Sequence, residues 1–315
     1  MLATFKSLAD PTRLRLMAIL ARGEFTVQEL TTILDMGQSR ISRHLKILSD
    51  AGLLSVKREG TWAYYQLDAT NDFFKDIRPY VEARLNREDD PCGDRNRLFS
   101  LLEKRRSRSL DFFDRHARQW DELVQDLLPT ASYREKLLAS VPTVPTILEV
   151  GVGTGNLLQG LRRQAKLVIG VDHSAVMLEQ ARERMQGNQA TGIDLRLGEM
   201  RHLPVSEGEV QWSVLNMVLH HAPQPQQVFF ELARVLSPGG GLTLADLHRH
   251  EEEWVRERMA DQWLGFERQE LEGWLKTAGF RPISFQVVGG KAAEHDVILL
   301  SALKNDSSAH GFCPK

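Results

Sequence analysis

The chain has 315 residues, 42% of them hydrophobic, and a formal net charge of −2. Its length favours two domains over one, its apolar fraction excludes wholesale disorder, and its near-neutral balance excludes a polycation, so any nucleic-acid contact must come from a local basic surface. No apolar run is long enough to span a bilayer, Met1–Lys6 has no signal-peptide core, and two isolated cysteines, Cys92 and Cys313, exclude a disulfide framework or a cysteine-rich metal site, which together predict a cytoplasmic protein.

Residues 1–88 read as helix-rich, ending in a hairpin and a further helix. Thr26-Val27-Gln28-Glu29 has the form of a capping box, in which the Thr hydroxyl accepts from the Glu29 N–H and the Glu29 side chain reaches back. The helix Val27–Leu34 buries Val27, Leu30 and Leu34. Asp35-Met36-Gly37 makes a turn in which Gly37 is expected to supply the positive φ. A second helix, from about Ser39 to Ala51, puts Ile41, Leu45 and Leu48 on the buried stripe. It leaves Gln38, Ser39, Arg40, Arg43, His44 and Lys46 on other faces. Polar and cationic side chains on a second helix are what a helix-turn-helix offers to base edges and phosphates. Gln38 and Arg40 are placed to reach bases, Arg43 and Lys46 to reach phosphates. Leu53–Arg58 and Trp62–Leu67 flank Glu59-Gly60-Thr61 as a hairpin, with Lys57 and Arg58 near its tip to touch the backbone or minor groove. Capped helix, cationic helix and basic wing, in that order, predict binding to double-stranded DNA.

Phe5–Leu16, Ser39–Leu48 and Ala51-Gly52-Leu53-Leu54 resemble the ArsR-type winged-helix repressors over roughly the first quarter of the chain. The resemblance implies a homodimer on a near-palindromic operator, with terminal helices at the dimer contact. Members of that family that sense arsenic or cadmium carry a Cys-x-Cys pair where Thr26 and Gln28 stand here. Zinc-sensing members use Asp and His on the last helix, and residues 70–88 contain no His. No metal site is therefore expected.

Residues 89–97 hold Pro91 and Gly93 in a polar run and read as a linker. The segment 98–128 is strongly helical, so 89–128 is taken as linker and helical lid. From Thr146 the pattern becomes short apolar strands alternating with helices: Thr146–Val150, Leu167–Asp172, Asp194–Leu197, Val210–Leu215 and Gly241–Ala245. That alternation predicts a parallel sheet with helical crossovers. Ile283–Val288 and Asp296–Ala302, joined through Gly289-Gly290, read as an antiparallel pair closing the sheet edge. The fold class is thus multidomain: an all-α/winged-helix N-terminal domain (1–88), then an α/β Rossmann-like domain with an antiparallel edge strand (129–304), and a flexible tail (305–315).

Between the first strand of that second domain and a helix expected over Thr154–Arg163 lies Gly151-x-Gly153-x-Gly155, preceded by Glu149. Asp172 ends the next strand, where a carboxylate accepts hydrogen bonds from ribose hydroxyls. The dinucleotide fingerprint would have its third glycine where Asn156 stands, so the spacing suits a nucleoside ligand without a pyrophosphate.

The pattern resembles the class I S-adenosylmethionine-dependent methyltransferases. Gly198-Glu199-Met200, Asn216–His221, Leu236-Ser237-Pro238-Gly239-Gly240 before the fifth strand, and Ala278-Gly279-Phe280 agree with it, over about residues 111–303. Phe112–Asp121 resembles their helical lid. The resemblance implies the following roles. Glu149 orients the glycine turn and lies near the ligand amino group, and Gly151, Gly153 and Gly155 allow close approach. Asp172 holds the ribose, His173 and Met177 line the adenine face, Glu199 and Met200 meet the adenine edge, and Asn216 sits beside the methionyl group. The implied cofactor is S-adenosylmethionine or S-adenosylhomocysteine.

No catalytic residue is assigned. His220, His221, His248 and His250 are candidate bases, and an adjacent pair such as His220-His221 after a strand can point one ring inward and one outward. Asp246–His250 reads as polar loop surface rather than a metal loop. Trp254, Trp263 and Phe266 read equally as an acceptor cap or as core. Three classes of function follow: a repressor whose second domain senses the adenosyl ligand, a working methyltransferase that controls its own operon, and a dimerisation scaffold. The two-part layout resembles ArsR-type repressors of methionine-cycle genes that respond to S-adenosylhomocysteine, which favours the first. The segment 98–128 is the expected coupler of the two halves.

Overall fold

The computed structural model describes residues 2–59, 62–68, 90, 92–127, 132–185, 191–289 and 295–305. The helix expected after the hairpin, the hairpin turn at Gly60-Thr61, Gly290 and all but the first residue of the tail lie outside the described residues. The chain divides into two compact units, Met1–Arg106 and Ser107–Lys315.

The first unit begins with α1 (Leu2–Leu8) and α2 (Pro11–Leu20). Asp10 caps α2 by accepting from the Arg13 N–H at 3.0 Å, and Pro11 occupies the first turn, where its missing N–H costs nothing. β1 (Phe25–Thr26) leads into α3 (Val27–Leu34) through a complete capping box. Thr26 Oγ1 accepts from the Glu29 N–H, and the Thr26 N–H donates to Glu29 Oε2 at 2.9 Å. The positive φ of the turn falls at Asp35 (54°), not at Gly37, which stands at φ −63° as the N-cap of α4 (Gln38–Asp50). Asp is among the few non-glycine residues whose short polar side chain tolerates that region. Ile41, Leu45 and Leu48 of α4 are fully buried, each worth about 1.5–3 kcal/mol over exposure. β2 (Leu54–Glu59) and β3 (Trp62–Leu67) form the hairpin, and β1 pairs antiparallel with β3, giving the sheet order β1-β3-β2 of a winged helix.

The predicted linker is shorter than expected. Asp90 accepts from the N–H groups of Asp94 and Arg95, so helix α5 (Asp94–His116) starts inside it. Leu98 of α5 is buried in the first unit's core, with Leu101 and Leu102 packed on that core. Asp94 accepts from Arg15 through both oxygens, at 2.6 and 2.7 Å, and from Arg97 at 2.8 Å. Those two arginines also donate to the Leu34 and Ile33 carbonyls at 2.8 and 2.6 Å. These carbonyls end α3 and have no partner within the helix. A cationic donor is also the favourable charge at a helix C-terminus.

In the second unit the 3-10 turn Ala117–Gln119 and α6 (Trp120–Leu127) follow the end of α5, then α7 (Arg134–Ala139). The seven-stranded sheet comprises β4 (Val144–Val150), β5 (Ala165–Asp172), β6 (Ile193–Leu197), β7 (Val210–Asn216), β8 (Leu236–Leu247), β9 (Phe280–Val288) and β10 (Val297–Lys304), in the order β6-β5-β4-β7-β8-β10-β9. β4 to β8 run parallel, while β10 is antiparallel to both β8 and β9. The strands are buried on both faces: Ile147, Val168 and Val214 enter one core, and Leu148, Ile169 and Leu215 the other. β8 is longer than predicted and includes Leu236–Gly240, which sequence places before the strand. The helix after the glycine turn, α8 (Leu158–Arg162), starts a turn later than predicted, because Gly155 at φ 81° interrupts helical geometry. Strand order reverses at β4, so the crevice for a ligand opens at the carboxyl ends of β4, β5 and β7.

Asp94→Ala is expected to strip the α3 C-terminal carbonyls of their oriented donors. Discounted for the partial exposure of both arginines, the loss is about 2 kcal/mol of first-unit stability in urea titrations. A change below about 0.5 kcal/mol would show that the cluster contributes no more than a surface pair.

Candidate functional site

In the first unit, Gln38, Ser39, Arg40, Arg43 and Lys46 are exposed on α4. His44 departs from the expected set. It lies one helical turn from Ile41, on the flank of the buried stripe. Its Nδ1 faces Asp10 at 3.8 Å, and burial holds its pKa below the usual histidine value. It is half-buried, unlike the five exposed residues of that set. Arg58 is exposed on β2, whereas the Lys57 side chain lies outside the described residues.

In the second unit the turn after β4 places Gly151, Gly153 and Gly155 at φ 70°, 52° and 81°. A Cβ on Gly151 would come within 2.2 Å of the Val218 side chain, so the chain after β7 can lie against the turn only there. A Cβ on Gly153 would meet no atom within 4 Å: the turn faces open space at this point. Asp172 organises the crevice. Its Oδ2 accepts from the Gly153 N–H at 2.8 Å and its Oδ1 from the Ser174 N–H at 2.9 Å. Ser174 then caps α9 (Ala175–Arg184) through the Met177 N–H. The orienting role expected of Glu149 therefore falls to Asp172. Glu149 is 2% exposed, its Oε2 has no hydrogen-bond partner, and burial, reinforced by the Asp172 charge, pushes its pKa up to about 8.

The lid is brought onto the same loop ends. Asp114 accepts from the Ser174 hydroxyl at 2.5 Å, and Asp121 from Thr154 Oγ1 at 2.9 Å and Asn156 Nδ2 at 2.7 Å. The Phe113 ring meets His173 and His221 edge-on at 5.7 and 4.8 Å, and Met177 is buried with Phe113 and Ala117. Asn216, at the end of β7, accepts from the buried Tyr133 hydroxyl at 2.8 Å, and burial raises that phenol to about 12, so it stays a donor. Glu199 makes a backbone bridge with His202, and Met200 packs at the margin of one core. Asp114, Asp121, Tyr133 and Ser174 went unassigned in the sequence. Asp114 and Asp121 had only membership of the lid segment as a signal, Ser174 only its place two residues after Asp172, and Tyr133 had none.

The adjacent histidines do not split inward and outward: both are buried, His221 against Phe113 and Trp120 and His220 against Asp246 and Asp261. His220 Nδ1 is 2.6 Å from Asp246 Oδ1, and Asp246 also accepts from the Leu219 and Leu247 N–H groups. Burial alone would depress His220, but Asp246, then Asp261, outweigh it and its pKa rises to about 9. Burial, then the charge of His220, keeps His221 well below its usual value and neutral. His250 sits against His295 at 4.8 Å with its pKa lowered to about 4, chiefly by burial. Trp263 and Phe266 are core residues, with the Trp263 indole donating to the Ala222 carbonyl at 2.7 Å, whereas half-buried Trp254 packs on the small cluster of Leu247, Val255, Met259 and Leu264, as do Trp120 and Leu123.

A winged helix-turn-helix and a Rossmann-like sheet with a nucleoside-type glycine turn thus share one chain. Comparison with known proteins places each half. Residues 10–56 match the arsR family of bacterial regulatory proteins, and residues 148–244 match a methyltransferase domain. The chain carries an ArsR-family helix-turn-helix domain at its N-terminus and a methyltransferase domain at its C-terminus. It is 52% identical over 64 residues to an arsenic resistance transcriptional regulator of Pseudomonas putida, covering 20% of this chain and 50% of that one. It is 36% identical over 116 residues to an arsenite methyltransferase of Halobacterium salinarum, covering 36% of this chain and 29% of that one. The chain therefore spans half or less of the length of these relatives. The fold also matches a chain from the solved complex between a Haloferax volcanii methyltransferase activator and a methyltransferase, with TM-score 0.53, 18% identity, and coverage of 61% of this chain and 97% of that one.

Because the folded Glu149 pKa, about 8, lies above its unfolded value, the protonated form is favoured in the native state. Stability linked to this group is complete below about pH 4.5 and is lost progressively as pH rises to 8. Glu149→Gln is expected to flatten that decline in urea midpoints measured from pH 5 to 8. Parallel pH profiles for the variant and wild type would show that the carboxyl does not titrate in that window.

Proposed function

We propose that the chain is a transcriptional repressor whose methyltransferase-like domain binds S-adenosylhomocysteine or S-adenosylmethionine as its effector. One observation carries the reading: an exposed polar and cationic recognition helix and a pre-formed nucleoside turn occur in a single polypeptide. Gln38 and Arg40 would face base edges, while Arg43, Lys46 and Arg58 would face phosphates. Exposed Leu2 of α1 and Phe99 of α5 supply apolar surface for a homodimer through terminal helices.

The second unit fits an adenosyl ligand on three counts. Space is open above Gly153, the Glu149 oxygen is buried without a partner, and Asp172 stands beside both. An incoming ammonium group would satisfy Glu149 and lower its pKa, and the ribose would share Asp172 with the backbone. His173 and Met177 would flank the adenine, Glu199 and Met200 would meet its edge, and Asn216, fixed by Tyr133, would sit beside the methionyl portion. The segment 98–128 would carry the response between the halves.

A second reading, a working methyltransferase, is favoured by the identity to the arsenite methyltransferase. S-adenosylmethionine supplies an electrophilic methyl group, and the protein would align an acceptor beside it and exclude water. Arsenite itself is a poor match as acceptor. Soft thiolate ligands suit such ions, and the chain offers only Cys92, exposed in the first unit, and Cys313, outside the described residues.

Titrating operator DNA with no ligand, with S-adenosylmethionine and with S-adenosylhomocysteine tests the effector reading. At least one adenosyl compound is expected to shift operator affinity, and equal affinity in all three conditions would remove it. Asp172→Asn should lose the ligand shift and keep ligand-free affinity within about twofold. Arg43→Ala should weaken binding and lower the slope of log affinity against log salt by about one. An unchanged slope would take Arg43 out of the phosphate contacts.

A further inference from the structure

His220, His221, Asp246 and Asp261 form a buried cluster outside the glycine turn and Asp172. We infer that His220 Nε2, His221 Nδ1 and Asp261 together bind a divalent transition-metal ion such as zinc. Asp246 acts as the outer carboxylate that orients His220. This reading concerns the second unit alone and stands whether that unit senses or catalyses.

The three ligand atoms lie within 4.8 Å of one another, and all three residues are buried. His220 Nε2 is 3.7 Å and His221 Nδ1 is 3.4 Å from Asp261 Oδ1. The first distance is too long for a hydrogen bond, and the second pair is not aligned for one. Two donors bound about 2.1 Å from a tetrahedral ion sit about 3.4 Å apart. The spacing is that of atoms sharing a cation rather than a proton.

The unmet needs point the same way. Asp261 is 4% exposed, yet neither of its oxygens has a hydrogen-bond partner, and His221 Nδ1 has none either. Buried polar atoms are rarely left so. Asp246 holds His220 through Nδ1 and leaves Nε2 as the donor, the carboxylate–histidine arrangement that fixes the tautomer and orientation of metal-binding imidazoles. Asp246 in turn is held by the Leu219 and Leu247 N–H groups. Asp261 follows Ala260 at φ 59°, and the next two N–H groups, of Gln262 and Trp263, both donate to the His220 carbonyl. The loop and the histidine turn are thereby tied as backbone as well as through side chains. Two imidazoles and one carboxylate suit zinc and its first-row neighbours, and leave a further coordination position open.

The full chain, stripped with chelator and dialysed, would be titrated with cobalt(II) as a spectroscopic stand-in and then with zinc. One cobalt per chain with visible d–d absorption, displaced by zinc, is expected. Asp261→Asn and His221→Gln should each weaken binding by roughly 100-fold, and Asp246→Asn by about 10- to 100-fold as an outer partner. His250→Ala, which breaks the His250–His295 pair and removes none of the three ligands, should bind like wild type. Zinc should raise the melting temperature of wild type but of neither ligand variant. Absence of a cobalt spectrum in wild type overturns the inference whatever the variants do. So does uptake that persists in Asp261→Asn or in His221→Gln, or that vanishes only in His250→Ala.

Discussion

The second unit's crevice depends on Asp172 holding two loops at once. One oxygen fixes the glycine turn after β4 and the other starts α9 after β5. A carboxylate accepting from backbone N–H groups is among the stronger hydrogen-bond arrangements, worth about 1.5–3 kcal/mol each. Those bonds also place a negative charge beside Glu149, whose pKa burial, and then that charge, pushes up to about 8. A cationic group placed beside Glu149 would lower that pKa and favour its ionised form. The lid contacts depend on the same frame, because Ser174, Thr154 and Asn156, its anchors, lie on the loops that Asp172 positions.

The first unit has its own constraint of the same type. A helix-turn-helix works only if the end of α3 and the start of α4 keep a fixed relation. The capping box fixes the entry to α3, and Asp94 fixes its exit by holding Arg15 and Arg97 against the last carbonyls. The hydrophobic stripe of Ile41, Leu45 and Leu48 then sets which face of α4 remains outside. His44 shows how narrow that face is: one turn from Ile41, it is already half-buried.

Much of this was legible in the sequence because it is local. The capping box, the buried stripe of α4, the alternating strands and the glycine turn are set by residues within a few positions of one another. What escaped is long-range. The partners of Ser174 and Thr154, Asp114 and Asp121, lie 60 and 33 residues away. Asp261 lies 41 residues past His220, in a loop with no motif, and only the folded chain brings them together. Conformation misled where two residues could do the same job. Glycine is the default for positive φ, yet Asp35 took it and left Gly37 to begin a helix. An adjacent histidine pair after β7 could leave one ring outside, but Asp246 and Asp261 enclose one and Phe113 and Trp120 the other.

A ligand can shift a two-state protein only by the difference in its affinity for the two states, and a near-complete switch needs roughly 5 kcal/mol. The two part-buried lid hydrogen bonds to a carboxylate, each worth about 1.5–3 kcal/mol, approach that range, and the exposed Asn156–Asp121 bond adds little. Two aromatic edges from Phe113 add to them. A ligand seated over Gly153 need not remake the Rossmann-like core to have an effect of this size. It need only change how firmly Asp114, Asp121 and Phe113 hold the loops that Asp172 organises. By reciprocity, anything that changes the grip of the same lid from its other end must change ligand binding by the same factor. The physical basis of regulation in this chain would then be the order of a short helical segment rather than a rearrangement of either core.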